Sequence, residues 1–84
     1  MPPRRQALAA LGLAVRELRE ARGVSQERLA SLAGLERTAL VLIERGEHDP
    51  SFDELRSLAR ALDLPVSALV AAAEVLLIFC GHDK

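Results

Sequence analysis

Few side chains in this sequence could make or break bonds, and they are scattered. Cys80, His82 and Asp83 lie close together, while His48 stands far off between Gly46 and Pro50. Three neighbouring groups without a second cluster make a poor metal centre, whose ligands converge from separate turns of chain. Both histidines, His48 and His82, fall in a loop or a tail, so no nucleophile is paired with a general base. The glycines at positions 12, 23, 34, 46 and 81 form no phosphate-cradling loop. The sequence therefore argues against an enzyme and implies neither a metal nor a cofactor.

What remains is recognition by charge. The net charge is only −1, but its distribution is uneven. Residues 1–45 carry eight arginines against five glutamates; residues 46–84 carry three basic side chains against seven acidic ones. A basic half suits a partner such as DNA, whereas an ordinary solvated surface is the competing reading. The single cysteine, Cys80, has no partner for an internal disulfide, which fits a reducing cytoplasm. Arg4-Arg5 leads into an Ala/Leu stretch broken by charges from Arg16 onward, which is not a signal-peptide pattern. No apolar run reaches the ~20 residues that cross a bilayer. The expectation is a cytoplasmic protein without a membrane segment.

The elements that position these side chains follow from periodicity. Half of the 84 residues are hydrophobic, yet Phe52 and Phe79 are the only aromatics. A core of Leu, Ala, Val and Ile favours packed helices, and 1–84 reads as one all-α domain. Helices are expected at about 6–22, 25–33, 36–45, 52–62 and 66–79, after a short arm over Met1–Arg5. In the first, Leu8, Leu11, Val15 and Leu18 make an apolar face widened by Ala7, Ala14 and Ala21. Gly12 inside it marks a kink or a close helix contact. Ser25 caps the second helix, Leu29, Ala30 and Ala33 form its inward face, and Gly34 ends it. Leu35 anchors the turn, and Leu40 and Ile43 face inward from the third helix. Residues 25–45 thus make a helix-turn-helix unit, whose second helix is of the kind that lies in a DNA major groove. Gly46 and Pro50 close it. Ser51 and Glu54 form a capping box for the fourth helix, with Leu55, Leu58, Ala59 and Leu62 inward.

The segment 66–80 has only Ser67 and Glu74 among apolar residues. Its Ala-rich start argues for helix, while 75–80 is helix or strand by composition. Leu69, Val70 and Ala73 are expected to close the core beneath the fourth helix. Leu76, Leu77, Ile78, Phe79 and Cys80 are then left to form a dimer interface, either as packed helices or as a strand paired with its symmetry mate.

Several of these stretches together resemble a phage-repressor-type (Cro-type, or XRE-type) helix-turn-helix domain, over roughly Leu11–Leu69. They are Val15-Arg16-Glu17-Leu18-Arg19, Gly23-Val24-Ser25-Gln26-Glu27, Leu29-Ala30 with Ala33-Gly34-Leu35, Ile43-Glu44-Arg45-Gly46, Pro50-Ser51 and Leu58-Ala59-Arg60-Ala61-Leu62. The resemblance implies a five-helix lambda-repressor-like fold that binds operator DNA. It implies that Gln26 bonds a phosphate or a base edge, and that Arg37 and Thr38 make base contacts from the start of the recognition helix. Val41 and Leu42 match further groove-facing positions; without hydrogen-bonding groups, they can touch only a thymine methyl. Arg19 and Glu44 match an ion pair tying the first helix to the third. Thr38 also has the chemistry of a cap for its own helix. Glu36 stands where Ser or Thr is usual, and Glu47 and Asp49 where basic residues or Asn are.

The expected function is a sequence-specific transcriptional regulator, of repressor or controller type, acting as a homodimer on a palindromic operator in double-stranded DNA. The alternative is a protein-interaction module or antitoxin-like adaptor that keeps the fold, binds DNA weakly or not at all, and meets a protein partner.

Overall fold

The computed structural model describes residues 4–81, with side chains through Phe79. Among them, five helices follow in order: α1 Arg4–Ala21, α2 Gln26–Ala33, α3 Arg37–Glu44, α4 Phe52–Ala61 and α5 Val66–Gly81. All five lie within two residues of the expected bounds. The fifth removes the strand alternative, because α5 runs helically through residues 75–80. A helix bonds its own backbone, whereas a lone strand would leave its N–H and C=O groups unpaired.

α1 starts at Arg4, so Arg4 and Arg5 belong to a helix and not to an arm, and Arg4 forms an ion pair with Asp49. The rest of the expected arm, Met1–Pro3, lies outside the described residues, as do His82 and Asp83. The buried side of α1 is built from Ala10, Gly12, Ala14 and Val15, with Leu11 and Leu18 packed at its margins. Ala7 and Ala21, expected in that stripe, are exposed. Small side chains win the central positions because α5 and α3 both pack against this face.

Gly12 is a contact and not a kink. A Cβ there would lie 2.2 Å from the Ile43 carbonyl oxygen and 2.7 Å from that of Glu44. The backbone of α1 thus touches the last turn of α3. Gly46 makes a second close approach: its φ is +74°, and a Cβ would meet Ala9 Cα at 2.9 Å. Only glycine fits both the dihedral and the space.

Leu29, Leu40, Ile43, Leu58, Leu62, Leu69 and Val15 are fully buried. Each contributes roughly 1.5–3 kcal/mol by leaving water. Leu69 and Ala73 close this core as expected, but Val70 is exposed. The reason is the direction of α5, which packs chiefly along α1 and less against α4. No single helix among the described residues is long and apolar enough to cross a membrane.

Candidate nucleic-acid interface

Local signals set the geometry of the helix pair. The Ser25 hydroxyl accepts from the Arg28 backbone N–H at 3.0 Å and so caps α2. At the other end Gly34 is left-handed, and the Leu35 N–H returns to the Ala30 carbonyl at 2.9 Å. This closure leaves the chain to turn and enter α3. Glu36 is the N-cap of α3 and makes no side-chain cap bond. Thr38 lies within the first turn, so it is not the cap its chemistry suggested.

A buried polar network locks α3 to α1 and α2. Arg19 Nε donates to Glu44 Oε2 at 2.7 Å, and Arg19 Nη2 donates to Glu44 Oε1 at 3.2 Å. The Arg19 and Glu44 side chains are only 11% and 3% exposed. Arg19 Nη1 also donates to the Val24 carbonyl at 2.9 Å, which ties in the loop before α2. The hydrogen bond that Arg19 donates to Glu44 raises the Arg19 pKa, against the lowering effect of burial. Gln26 Nε2 donates to Glu44 Oε1 at 2.9 Å. A carboxylate only accepts, so this bond turns the amide NH2 of Gln26 inward and leaves its oxygen free. Every buried polar side-chain atom among the described residues has a partner.

With Leu40, Ile43 and Glu44 turned inward, α3 presents the opposite face. Arg37, Thr38 and Leu42 are exposed, and Val41 is half-buried between them. These four line one shallow concavity. A second depression begins beside it, lined by Arg16, Arg19, Glu20, Gln26, Val41, Glu44 and Arg45. Val41 belongs to both, so the expected residues on α2 and α3 form a continuous surface. Arg16 and Arg45 were not candidates by type alone. For Arg45 the signal in the sequence is spacing: positions 37, 41 and 45 fall four apart on one helical face, whereas Arg16, on α1, reaches this surface only through the fold. Arg16 pairs with Glu20 at 3.1 Å and Arg45 with Glu47 at 3.5 Å, both on the surface.

The expected dimer residues do not form one set. Leu76 packs against the core, and Leu77 lines an apolar groove with Ala7, Ala10, Leu11, Leu55 and Ala73. Ile78 and Phe79 are 61% and 72% exposed. With Ala71 and Val75, also exposed, they make a stripe at helical spacing. The side chain of Cys80 lies outside the described residues.

A helix pair joined by a glycine turn, anchored by a buried arginine–glutamate pair and offering an outward polar-and-apolar helix face, defines a DNA-binding helix-turn-helix domain of the XRE type. The sequence matches the HTH_3 helix-turn-helix family over residues 15–69, and the chain belongs to that family. It is 38% identical over 60 residues to the immunity repressor protein of Bacillus phage phi105, a match covering 71% of this chain. The chain spans 42% of that relative's length. Among solved structures it is similar to the restriction-modification controller protein C.AhdI from Aeromonas hydrophila. The identity is 44% and the TM-score 0.73, over 74% of this chain and 94% of that one. It is also similar to the clp gene regulator ClgR from Corynebacterium glutamicum, at 29% identity and TM-score 0.86 over 95% of this chain and 82% of that one.

Proposed function

We propose that this chain is a cytoplasmic, non-enzymatic transcriptional regulator, without a cofactor, that binds a palindromic operator as a homodimer. The observation that carries this reading is the outward face of α3. Arg37, Thr38, Val41 and Leu42 are accessible on a helix whose other face is fixed by the core and by the Arg19–Glu44–Gln26 network. A rigid helix presented in this way fits the major groove, with its early residues at the base edges. In this reading Arg37 and Thr38 contact bases, Gln26 takes a phosphate or base edge, and Arg16 and Arg45 neutralise flanking phosphates. The repressor and controller names of the similar proteins support regulation by promoter occupancy.

One module covers only a few base pairs, and two copies would read half-sites about 34 Å apart. The exposed stripe on α5 supports the pairing of two chains. In vitro selection of DNA on the purified chain, followed by anisotropy titration of the winning site against random duplex, tests the reading. Selective binding that falls steeply with salt is the expected result.

A second reading has its own observation. Glu36, exposed at the start of α3 without a cap bond, repels phosphate, and Leu32 is an exposed apolar residue on α2. Both suit a protein partner. Equal, weak binding to all duplexes would favour this adaptor reading.

A further inference from the structure

We propose that the hollow between the end of α4 and the start of α5 binds a ribonucleoside monophosphate, with Arg56 and Arg60 on the phosphate and Asp63 on the sugar hydroxyls. The hollow has a volume of about 420 Å³, within the range of small-molecule sites. Arg56 and Arg60 stand one turn apart on α4, and both line it. They are the only arginines or lysines from 46 to 81, a stretch with six acidic side chains. The hollow shares no residue with the outward face of α3 or with the depression beside it.

The charges around this hollow are not matched by the chain itself. Like charges four apart on a helix repel, so Arg56 and Arg60 cost stability unless an anion joins them. Arg56 has only a loose, exposed pair with Asp53 at 3.8 Å. Arg60 forms no ion pair among the described residues. Asp63 lines the same hollow, yet it pairs with neither arginine. Its backbone is left-handed, with φ of 61°. That turn is fixed from α4: the Asp63 N–H donates to the Arg60 carbonyl at 2.9 Å, and the Leu64 N–H to the Ala59 carbonyl at 2.8 Å. Two cations and a carboxylate thus face one hollow without touching. The matching ligand has acceptor oxygens at one end and hydroxyl donors at the other. Phosphate oxygens accept from guanidinium forks, and a carboxylate accepts from ribose hydroxyls. Leu64, Pro65 and Val66 complete the lining with apolar side chains, against which a base can lie. Inorganic phosphate would use the arginines but meet repulsion from Asp63, and a bare nucleoside would leave the arginines unmatched.

The test titrates the full chain with each of the four common ribonucleoside monophosphates, with inorganic phosphate and with the free nucleosides, followed by backbone amide NMR shifts. At least one monophosphate should bind below millimolar concentration, with shifts gathered at Asp63, Leu64 and Val66. Its nucleoside and inorganic phosphate should each bind about tenfold more weakly, the effect of losing one charge-assisted contact. Arg60→Gln, an exposed substitution checked by thermal melting, should lose a similar factor for the nucleotide. Asp63→Asn is the sharper variant, because asparagine tolerates the same left-handed backbone. It should weaken nucleotide binding and strengthen that of inorganic phosphate. If both strengthen, the hollow is a plain cationic patch and the proposal fails. No shift at these residues with any monophosphate at millimolar concentration overturns it. So does a loss of affinity for random duplex in Arg56→Gln and Arg60→Gln with a smaller salt slope, which would assign the arginines to DNA phosphates.

Discussion

Glu44 Oε1 accepts from Gln26 Nε2 at 2.9 Å, while Oε2 of the same carboxylate accepts from Arg19 Nε at 2.7 Å. One buried carboxylate therefore fixes the start of α2 and the end of α3 against α1. Gln26 is not a free surface amide. Its orientation is set by an acceptor that is itself held by a buried cation, so stability and the aim of a candidate DNA contact share one group.

The two effects separate in a mutant series. Glu44→Ala strands Arg19 in a poorly solvated place and should destabilise the fold by about 3–5 kcal/mol. Glu44→Leu combined with Arg19→Met should restore most of that loss, read from denaturant midpoints. The double variant still leaves Gln26 without its acceptor, so its DNA affinity should stay below the parent's. Small, additive effects of the single variants would contradict the burial of the pair.

Gly12 offers a test in which two effects oppose. Helix propensity alone favours alanine over glycine by about 1 kcal/mol. A Cβ 2.2 Å from the Ile43 carbonyl oxygen must instead push α1 away from α3. Because the neighbour is backbone, it cannot rotate aside. Gly12→Ala should therefore destabilise, by roughly 1–3 kcal/mol or more, and thermal melting gives the sign directly.

The parts of this fold that are legible in the sequence are those written locally. The cap at Ser25, the glycine turn at Gly34 and the capping box of Ser51 and Glu54 each need only a few neighbouring residues, and all three are present. Arg19 and Glu44 lie far apart in sequence, and they were legible only through the resemblance. The apolar faces of α5 were legible only in part: Leu69 and Ala73 are buried as expected, whereas Val70 is exposed. Nearly every residue from 66 to 80 is apolar, so no polar stripe separates Leu76 and Leu77, which pack on the monomer, from the exposed Ile78 and Phe79. Small-residue packing misled in the same way on α1, where Ala10 is buried and Ala7 is not. Arg45 was overlooked because it ends a motif, although its spacing from Arg37 and Val41 places it on the same face.

The capping box predicts an acid-sensitive step. Glu54 accepts from the Ser51 backbone N–H at 2.9 Å, and this bond, more than the neighbouring His48 at 3.2 Å, holds its carboxyl below the ordinary value of 4.5. A carboxyl depressed on folding contributes stability that is present above its unfolded pKa and is lost as pH falls through the folded one. Stability should thus decline below about pH 4.5. Glu54→Gln should flatten that part of the profile, and Ser51→Ala should cost about 1 kcal/mol at neutral pH. Denaturant melts from pH 3 to 7 check both; a parent and a Glu54→Gln variant with parallel profiles would remove the box from the account.

On DNA, the arginines should divide by role. Arg37→Ala should weaken binding to the selected site by about 1–3 kcal/mol and relax the preference at one base pair. Arg16→Ala and Arg45→Ala should weaken selected and random duplexes alike, each lowering the salt slope by about one. Anisotropy titrations at several salt concentrations decide it. A uniform loss in Arg37→Ala would place that residue on phosphate.

The stripe on α5 makes the last prediction. Ala71, Val75, Ile78 and Phe79 are exposed, while Leu77 is half-buried and faces α1 and α4. Covering Val75, Ile78 and Phe79 in each of two chains would contribute roughly 1.5–3 kcal/mol per side chain, enough for pairing once the cost of association is met. Ile78→Asp with Phe79→Asp should then give a folded monomer by light scattering, with an unchanged melting midpoint at low protein concentration. Its affinity for a two-half-site operator should fall sharply, while affinity for a single half-site should not. Leu77→Asp should behave differently, because it places a charge in the groove of the monomer and lowers stability at every concentration. A parent that is monomeric at micromolar concentration, or a double variant that remains dimeric, would remove α5 as the pairing surface.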